Sequence, residues 1–151
     1  MKHISHEFFV PFTSFNHFSE HDILDLQELF LSPGMHELTV PNIAAGRELM
    51  SSVLTAFNCF PRIACLTTAS LPLPAHVTHL HDEMALHGAL AFSNHQLDSF
   101  LLEHFYYDFL WIEVTPELLQ SAWYPYFQLK LIDFNLAMTL PIIAVSYERK
   151  S

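Results

Sequence analysis

The residues best placed to do chemistry begin at Pro41. The stretch Pro41-Asn42-Ile43-Ala44-Ala45-Gly46-Arg47-Glu48 can be laid over the phosphate-loop pattern G-x-x-x-x-G-K-[ST], and only the second glycine survives. A phosphate cradle needs backbone N–H groups converging on the anion, a lysine reaching the terminal phosphates and a hydroxyl on the magnesium ion. Here proline removes a donor at the first glycine position, Arg47 stands for the lysine and Glu48 puts a negative charge where the hydroxyl belongs. Glu48 would repel the triphosphate. Pro41, Asn42, Gly46, Arg47 and Glu48 are therefore degenerate nucleotide-loop positions. Arg47 and Glu48 read as solvated first-turn residues of the following helix, with Glu48 favoured there by the helix dipole. Glu113 closes the apolar run Phe109-Leu110-Trp111-Ile112, at a strand end of the kind where open α/β sheets bind ligands. The same position suits an acid leaving the core. An atypical nucleotide site would use Arg47 for phosphate and Glu113 for magnesium or water.

A second group, His76, His79, His81, Asp82, Glu83 and His87, has the residue types of a transition-metal site. Its spacing fits no familiar ligand signature, and a solvated polar loop is the simpler reading. His76, His79 and His81 remain the candidates should a metal-dependent enzyme be at hand, but no metal or other cofactor is expected. Serine nucleophile chemistry is poorly served, because no G-x-S-x-G elbow occurs and the chain has just 3 glycines. The catalytic set expected is therefore empty.

Composition narrows the partners. A chain of 151 residues makes one domain with an ample core. Hydrophobic residues make up 51%, charged residues 15% and mean hydropathy is +0.24, against a usual charged share of about 25%. Some apolar surface should be left for a partner to cover. A formal net charge of −10 with 6 Lys+Arg excludes a phosphate-tracking nucleic-acid surface, which needs clustered cations, and disfavours an anionic membrane. Cys59 and Cys65 lie in apolar segments and read as buried free thiols. The amino-terminal stretch lacks a secretory apolar region and no uncharged apolar run reaches about 18 residues, so the expected compartment is the cytoplasm and no membrane insertion is expected.

The elements that must position these residues alternate. Residues 1–18 read as an arm packed on the domain, and residues 19–151 as that domain. Ser19 and Asp22 open a helix that Ser32-Pro33-Gly34 ends. His36–Val40 is a first strand, residues 44–57 a helix whose Ala45, Leu49, Val53 and Ala56 share one side, and residues 62–68 a second strand, the three forming a βαβ unit with parallel pairing. Leu71-Pro72-Leu73-Pro74 is an extended connection. Gly88–Phe92 is a third strand, residues 93–105 a helix, Tyr107–Val114 the strongest strand, Thr115-Pro116 the start of another helix and Pro141–Tyr147 a last buried strand. This is an α/β sandwich, a mainly parallel sheet flanked by helices.

With its loop and helix, strand, crossover, acid-ended apolar strand, helix and final strand, the chain resembles the RecA-type branch of P-loop folds over roughly residues 34–147. Phe109–Glu113 matches a Walker B strand with Glu for the usual Asp. Within that branch it is similar to short members that keep the core and lack the phosphate loop, namely the SulA-type cell-division inhibitors and the amino-terminal domain of the cellulose-synthesis regulator BcsE. Such a resemblance implies a RecA-like pseudo-NTPase with a protein-binding, scaffold or regulatory role.

One further helix, residues 126–138, bears two apolar stripes. Phe127, Leu131, Phe134 and Met138 form one, and Leu129, Ile132 and Leu136 the other. The first can face the sheet. The second needs cover: either a second helix or the amino-terminal arm supplies it, or, with Trp123, Tyr124 and Tyr126 beside it, it meets a protein partner or a second copy of the chain, since aromatic residues are enriched in interface cores.

Overall fold

A computed structural model of the chain describes the backbone of residues 3–7 and, beyond them, residues 28, 32–55, 62–74, 76–90 and 94–147. The apolar runs become strands of one sheet: β1 (His3–Glu7), β2 (Gly34–Val40), β3 (Ile63–Leu66), β4 (Val77–His79), β5 (Phe109–Glu113) and β6 (Pro141–Tyr147). They lie in the order β1-β2-β6-β5-β3-β4, and every pairing is parallel. The helices are α1 (Ile43–Thr55), α2 (Leu80–Leu86), α3 (Asn94–Glu103), α4 (Pro116–Gln120), α5 (Tyr124–Asp133) and α6 (Leu136–Thr139). The result is an α/β sandwich consistent with a RecA-like layout.

Parallel strands covered on both faces need apolar residues at every position, and β3 and β5 are buried throughout. Their side chains alternate between two cores. On one face Leu38, Val40, Cys65, Trp111, Ile143 and Val145 pack under Leu49, Met50, Val53 and Leu54 of α1. On the other, Ala64, Leu66, Leu110, Ile112 and Ile142 pack under α2 to α6 through residues such as Met84, Phe100, Phe127 and Ala137.

The structure corrects several expectations. β2 and β3 run parallel but are not paired, because β6 and β5 lie between them. The third strand is Val77–His79, which pairs with β3; of the expected Gly88–Phe92 strand, residues 88–90 are a turn, and Ala91 and Phe92 lie outside the described residues. Residues 87–90 form the turn ending α2, with Gly88 at φ 70; Ala89 is buried there without being a strand residue. The helix expected over 126–138 is broken at Asn135, whose φ of 62 is left-handed, a conformation asparagine tolerates better than most residues. Residues 3–7 of the arm add an edge strand beside β2. The helix expected from Ser19 lies outside the described residues except at Glu28 and Ser32, as do Ala56, Phe57 and Cys59.

Candidate functional site

The charged positions singled out in the sequence converge at the carboxyl ends of the strands, under the first turn of α1. Period two places Phe109, Trp111 and Glu113 of β5 on the α1 face, and likewise Ile63, Cys65 and Thr67 along and just beyond β3. The register, Cys65 opposite Trp111 and Leu66 opposite Ile112, carries Thr67 to Glu113. On the other side Glu113 lies opposite Val145 of β6, two residues before Tyr147.

Arg47 descends from α1 into this row. The Asn42 side chain accepts from the Ala45 N–H at 2.9 Å and so caps the helix. The first turn sits close to the sheet at Gly46, where a methyl group would meet Val40 at 3.4 Å and the Tyr147 ring at 3.8 Å, ordinary packing distances. The Arg47 Nε donates to Glu113 Oε2 in a very short contact, and Nη2 donates to Glu113 Oε1 at 2.8 Å. Nη1 donates to the carbonyl oxygens of Leu71 at 2.6 Å and Pro72 at 2.9 Å. The Thr67 hydroxyl donates to Glu113 Oε1 at 2.5 Å and accepts from the Ala69 N–H at 3.0 Å. Every nitrogen of the guanidinium is engaged, and both carboxylate oxygens accept.

This corrects two readings. Arg47 is not a solvated first-turn residue but 6% exposed, and Glu113 does not leave the core but is 0% exposed. The helical spacing gives the reason for Arg47. It stands three residues before Met50 and seven before Leu54, both buried, so it shares their face. Glu48, the next residue, is exposed. Pro41 is buried at the turn.

The surroundings hold their protons. Burial pulls the Arg47 guanidinium down, but the hydrogen bonds and charge of Glu113 outweigh it, and the net direction is up. Burial first, and the Glu113 charge second, push the Cys65 thiol well up, and the same two causes push up the Tyr147 phenol. Cys65 is a free thiol, fully buried. The Tyr147 hydroxyl is buried and has no hydrogen-bond partner among the described residues.

Beside the pair opens a cleft of about 430 Å³ lined by Ile43, Thr68, Ala69, Ser70, Leu71, Thr115 and Glu117, within the size range of small-molecule sites. The Thr68 and Thr115 hydroxyls bond across it at 2.7 Å, and Thr115 caps α4 by accepting from the Leu118 N–H at 3.3 Å. Among the described residues Glu117 is the one charged group of the lining, and none of them offers an anion a cation.

The histidine group is divided between the two ends of α2. His79 and His81 lie at its start, with their Nδ1 atoms 3.7 Å and 3.9 Å from Asp82, and His81 leans on Trp123. His87 caps the other end and stacks on His104 at 3.8 Å. His76 is exposed just before β4. Among the described residues no three of His, Cys, Asp or Glu are grouped to hold a metal ion.

The expected interface residues also divide. Tyr124 belongs to the core at 4% exposure, and Trp123 and Leu136 are half-buried against the same core. Tyr126, Leu129 and Ile132 are exposed. Phe127 and Leu131 face the sheet as expected, and Phe134 packs beside them, whereas Met138 is turned out at 53% exposure.

Thr67, the Leu71 and Pro72 carbonyls, and Tyr147 are not among the residues read from the sequence. Alternation along β3, β5 and β6 is the signal that places Thr67 and Tyr147 on the Glu113 face; nothing in the sequence points to the carbonyls. Among the described residues no helix is long and apolar enough to cross a membrane. The class defined to this point is an α/β protein with an all-parallel sheet and a closed ion pair at its carboxyl edge. Comparison of the chain with family models, curated proteins and solved structures gave no match.

Proposed function

We propose that this chain is a non-catalytic binding protein, a scaffold or regulatory subunit on a RecA-like pseudo-NTPase fold. The observation that carries the reading is the closed pair. Among the described residues Arg47 is the only cation at the loop, and its nitrogens are taken by Glu113, Leu71 and Pro72. Glu113, the acid that ends the β5 strand where magnesium would be held, has its oxygens taken by Arg47 and Thr67. Opening the pair to admit a nucleotide would leave buried groups unpartnered, each at a cost of about 1–3 kcal/mol or more. The resemblance to SulA-type inhibitors and to the amino-terminal domain of BcsE points toward protein binding as well. Exposed apolar residues on α5 supply a surface for it.

The second reading, an atypical nucleotide-binding protein, is favoured by one observation: Arg47 and Glu113 meet next to a cleft of ligand size. Thermal unfolding with and without millimolar ATP or ADP plus magnesium separates the two. A ligand at about a hundred times its Kd adds about 2.7 kcal/mol, which raises the midpoint of such a domain by several degrees. No shift is expected. A magnesium-dependent shift lost in Arg47→Ala overturns the proposal and establishes the nucleotide reading.

A further inference from the structure

The outward face of α5 carries Tyr126, Leu129 and Ile132, exposed by 41%, 51% and 51%. At a spacing of three residues they form a stripe about 9 Å long, close to two helical turns. The opposite face of the same helix, through Phe127 and Leu131, is already buried in the core. The stripe therefore has no further role in packing the described sheet and helices. Short apolar stripes on a helix are read by partners that are themselves amphipathic helices, with anchors at i, i+3 or i+4, and i+7.

Charge selects among such partners. The described basic side chains are Arg47, Arg62 and Lys130. Arg47 is enclosed with Glu113. Lys130, the one cation on α5, is held between Asp98 at 3.2 Å and Asp133 at 3.8 Å, so two carboxylates stand against one ammonium at the rim of the stripe. The α3 helix that carries Asp98 contacts α5. The chain as a whole carries −10. A second copy would bring another −10 to the same face, and like charge opposes that association. A partner with cations around its apolar anchors gains at the rim and is steered there over distance.

We propose that this face docks a basic amphipathic helix of another protein, with its leucine-type anchors over Tyr126, Leu129 and Ile132 and its lysine or arginine residues against Asp98 and Asp133. This rests on the protein-binding reading above and deepens it.

The test uses the full chain and a fluorescein-labelled peptide of about 18 residues, about 27 Å as a helix, made of leucine and lysine in helical spacing. A peptide with glutamate for every lysine is the control. The lysine peptide is expected to bind, as read by fluorescence anisotropy, with affinity that falls as salt rises. The glutamate peptide is expected not to bind. The paired variant Leu129→Asp/Ile132→Asp decides whether the stripe is engaged. It adds two negative charges, so simple attraction of a cation to an acidic protein would strengthen, whereas docking on the stripe weakens by about tenfold or more. Leu129→Ser/Ile132→Ser removes the apolar area without changing charge and should weaken binding as well. All four substitutions are at exposed positions, and an unchanged melting midpoint verifies the fold. No binding, binding unchanged or strengthened in the aspartate variant, or equal binding of the glutamate peptide overturns the proposal. So does a dimer, seen by sedimentation velocity, that dissolves in the aspartate variant, since the occupant would then be a second copy. A nucleotide shift in the thermal experiment is a separate outcome. It would overturn the non-catalytic reading whatever the peptide does.

Discussion

Replacing Arg47 with methionine removes the guanidinium and keeps much of the side-chain volume. Glu113, with no exposed surface, would retain the Thr67 hydroxyl as its one side-chain donor. Breaking a buried ion pair from one side costs about 3–5 kcal/mol, because the remaining charge stays buried without compensation. That is a large part of the roughly 5–15 kcal/mol that holds a domain together. With a urea slope of about 2 kcal/mol per molar, the midpoint should fall by about 1.5–2.5 M. Glu113→Leu should cost a similar amount, leaving the Arg47 charge enclosed. In Arg47→Met/Glu113→Leu both charges are gone, and replacement of a buried pair by apolar side chains is often close to neutral. What remains is the loss of the Thr67 acceptor and of the donor to the Leu71 and Pro72 carbonyls. Leu71 is 43% exposed, so water can replace Arg47 at that carbonyl. The double variant should therefore lose only about 1–2 kcal/mol, less than either single change. Urea unfolding followed by circular dichroism measures all three. Single losses below about 1 kcal/mol would mean a pair as weak as an exposed one. A double loss equal to the sum of the singles would mean no coupling, and either result refutes the enclosed pair.

Tyr147→Phe should leave stability unchanged or raise it by about 1 kcal/mol, since the phenol is buried without a hydrogen-bond partner among the described residues; a loss above about 1 kcal/mol in urea unfolding would reveal a partner. Stability should fall on the alkaline side, because above the ordinary thiol value of 9.0 and phenol value of 10.0 the unfolded chain gives up protons that folded Cys65, Tyr124 and Tyr147 retain. Each retained proton gives a slope of up to about 1.4 kcal/mol per pH unit, so Cys65→Ala should flatten the urea-midpoint profile just above pH 9, and an identical profile would exclude Cys65 as a source. Residues 68–73 should exchange their amide hydrogens faster in Arg47→Met/Glu113→Leu than in the native chain under conditions where both are fully folded; unchanged protection would show that Arg47 does not hold this segment.

How much of this was legible in the sequence depended on whether an element announces itself by period. The continuous apolar runs of β5 and β6, and the alternation in β2, could be read directly because burial on both faces or on one leaves different patterns. β4 could not, since three residues containing Thr78 and His79 carry no period, and the apolar Gly88–Phe92 run imitated the strand that β4 supplies. The break at Asn135 was hidden for another reason. Its flanking residues keep a helical apolar pattern, and only the left-handed backbone stops the helix. At the site, the sequence singles out Arg47 and Glu113 but points to solvent for both, whereas the structure buries them. Their charge argued for solvent, while their spacing from Met50 and from Trp111 placed them on buried faces. Spacing prevailed because each charge had the other to meet.

That outcome bears on why the pair stands where it does. An enclosed ion pair is a poor source of stability compared with packed apolar side chains, so stability alone does not favour arginine and glutamate at these positions. Geometry does. A methionine–leucine pair could fill the same volume but could not donate to the Leu71 and Pro72 carbonyls. Through Arg47 the first turn of α1, the end of β5 and the extended segment after β3 are tied at one point. The Thr68–Thr115 hydroxyl bond ties that segment to α4 as well. In a phosphate-binding loop the corresponding donors are left free for an incoming anion, and order is completed by the ligand. Here the Arg47 donors are consumed within the chain, so the guanidinium is held by the fold itself. Binding there need not organise the fold, and recognition is free to reside on the helical face across the sheet, where α5 leaves Leu129 and Ile132 exposed.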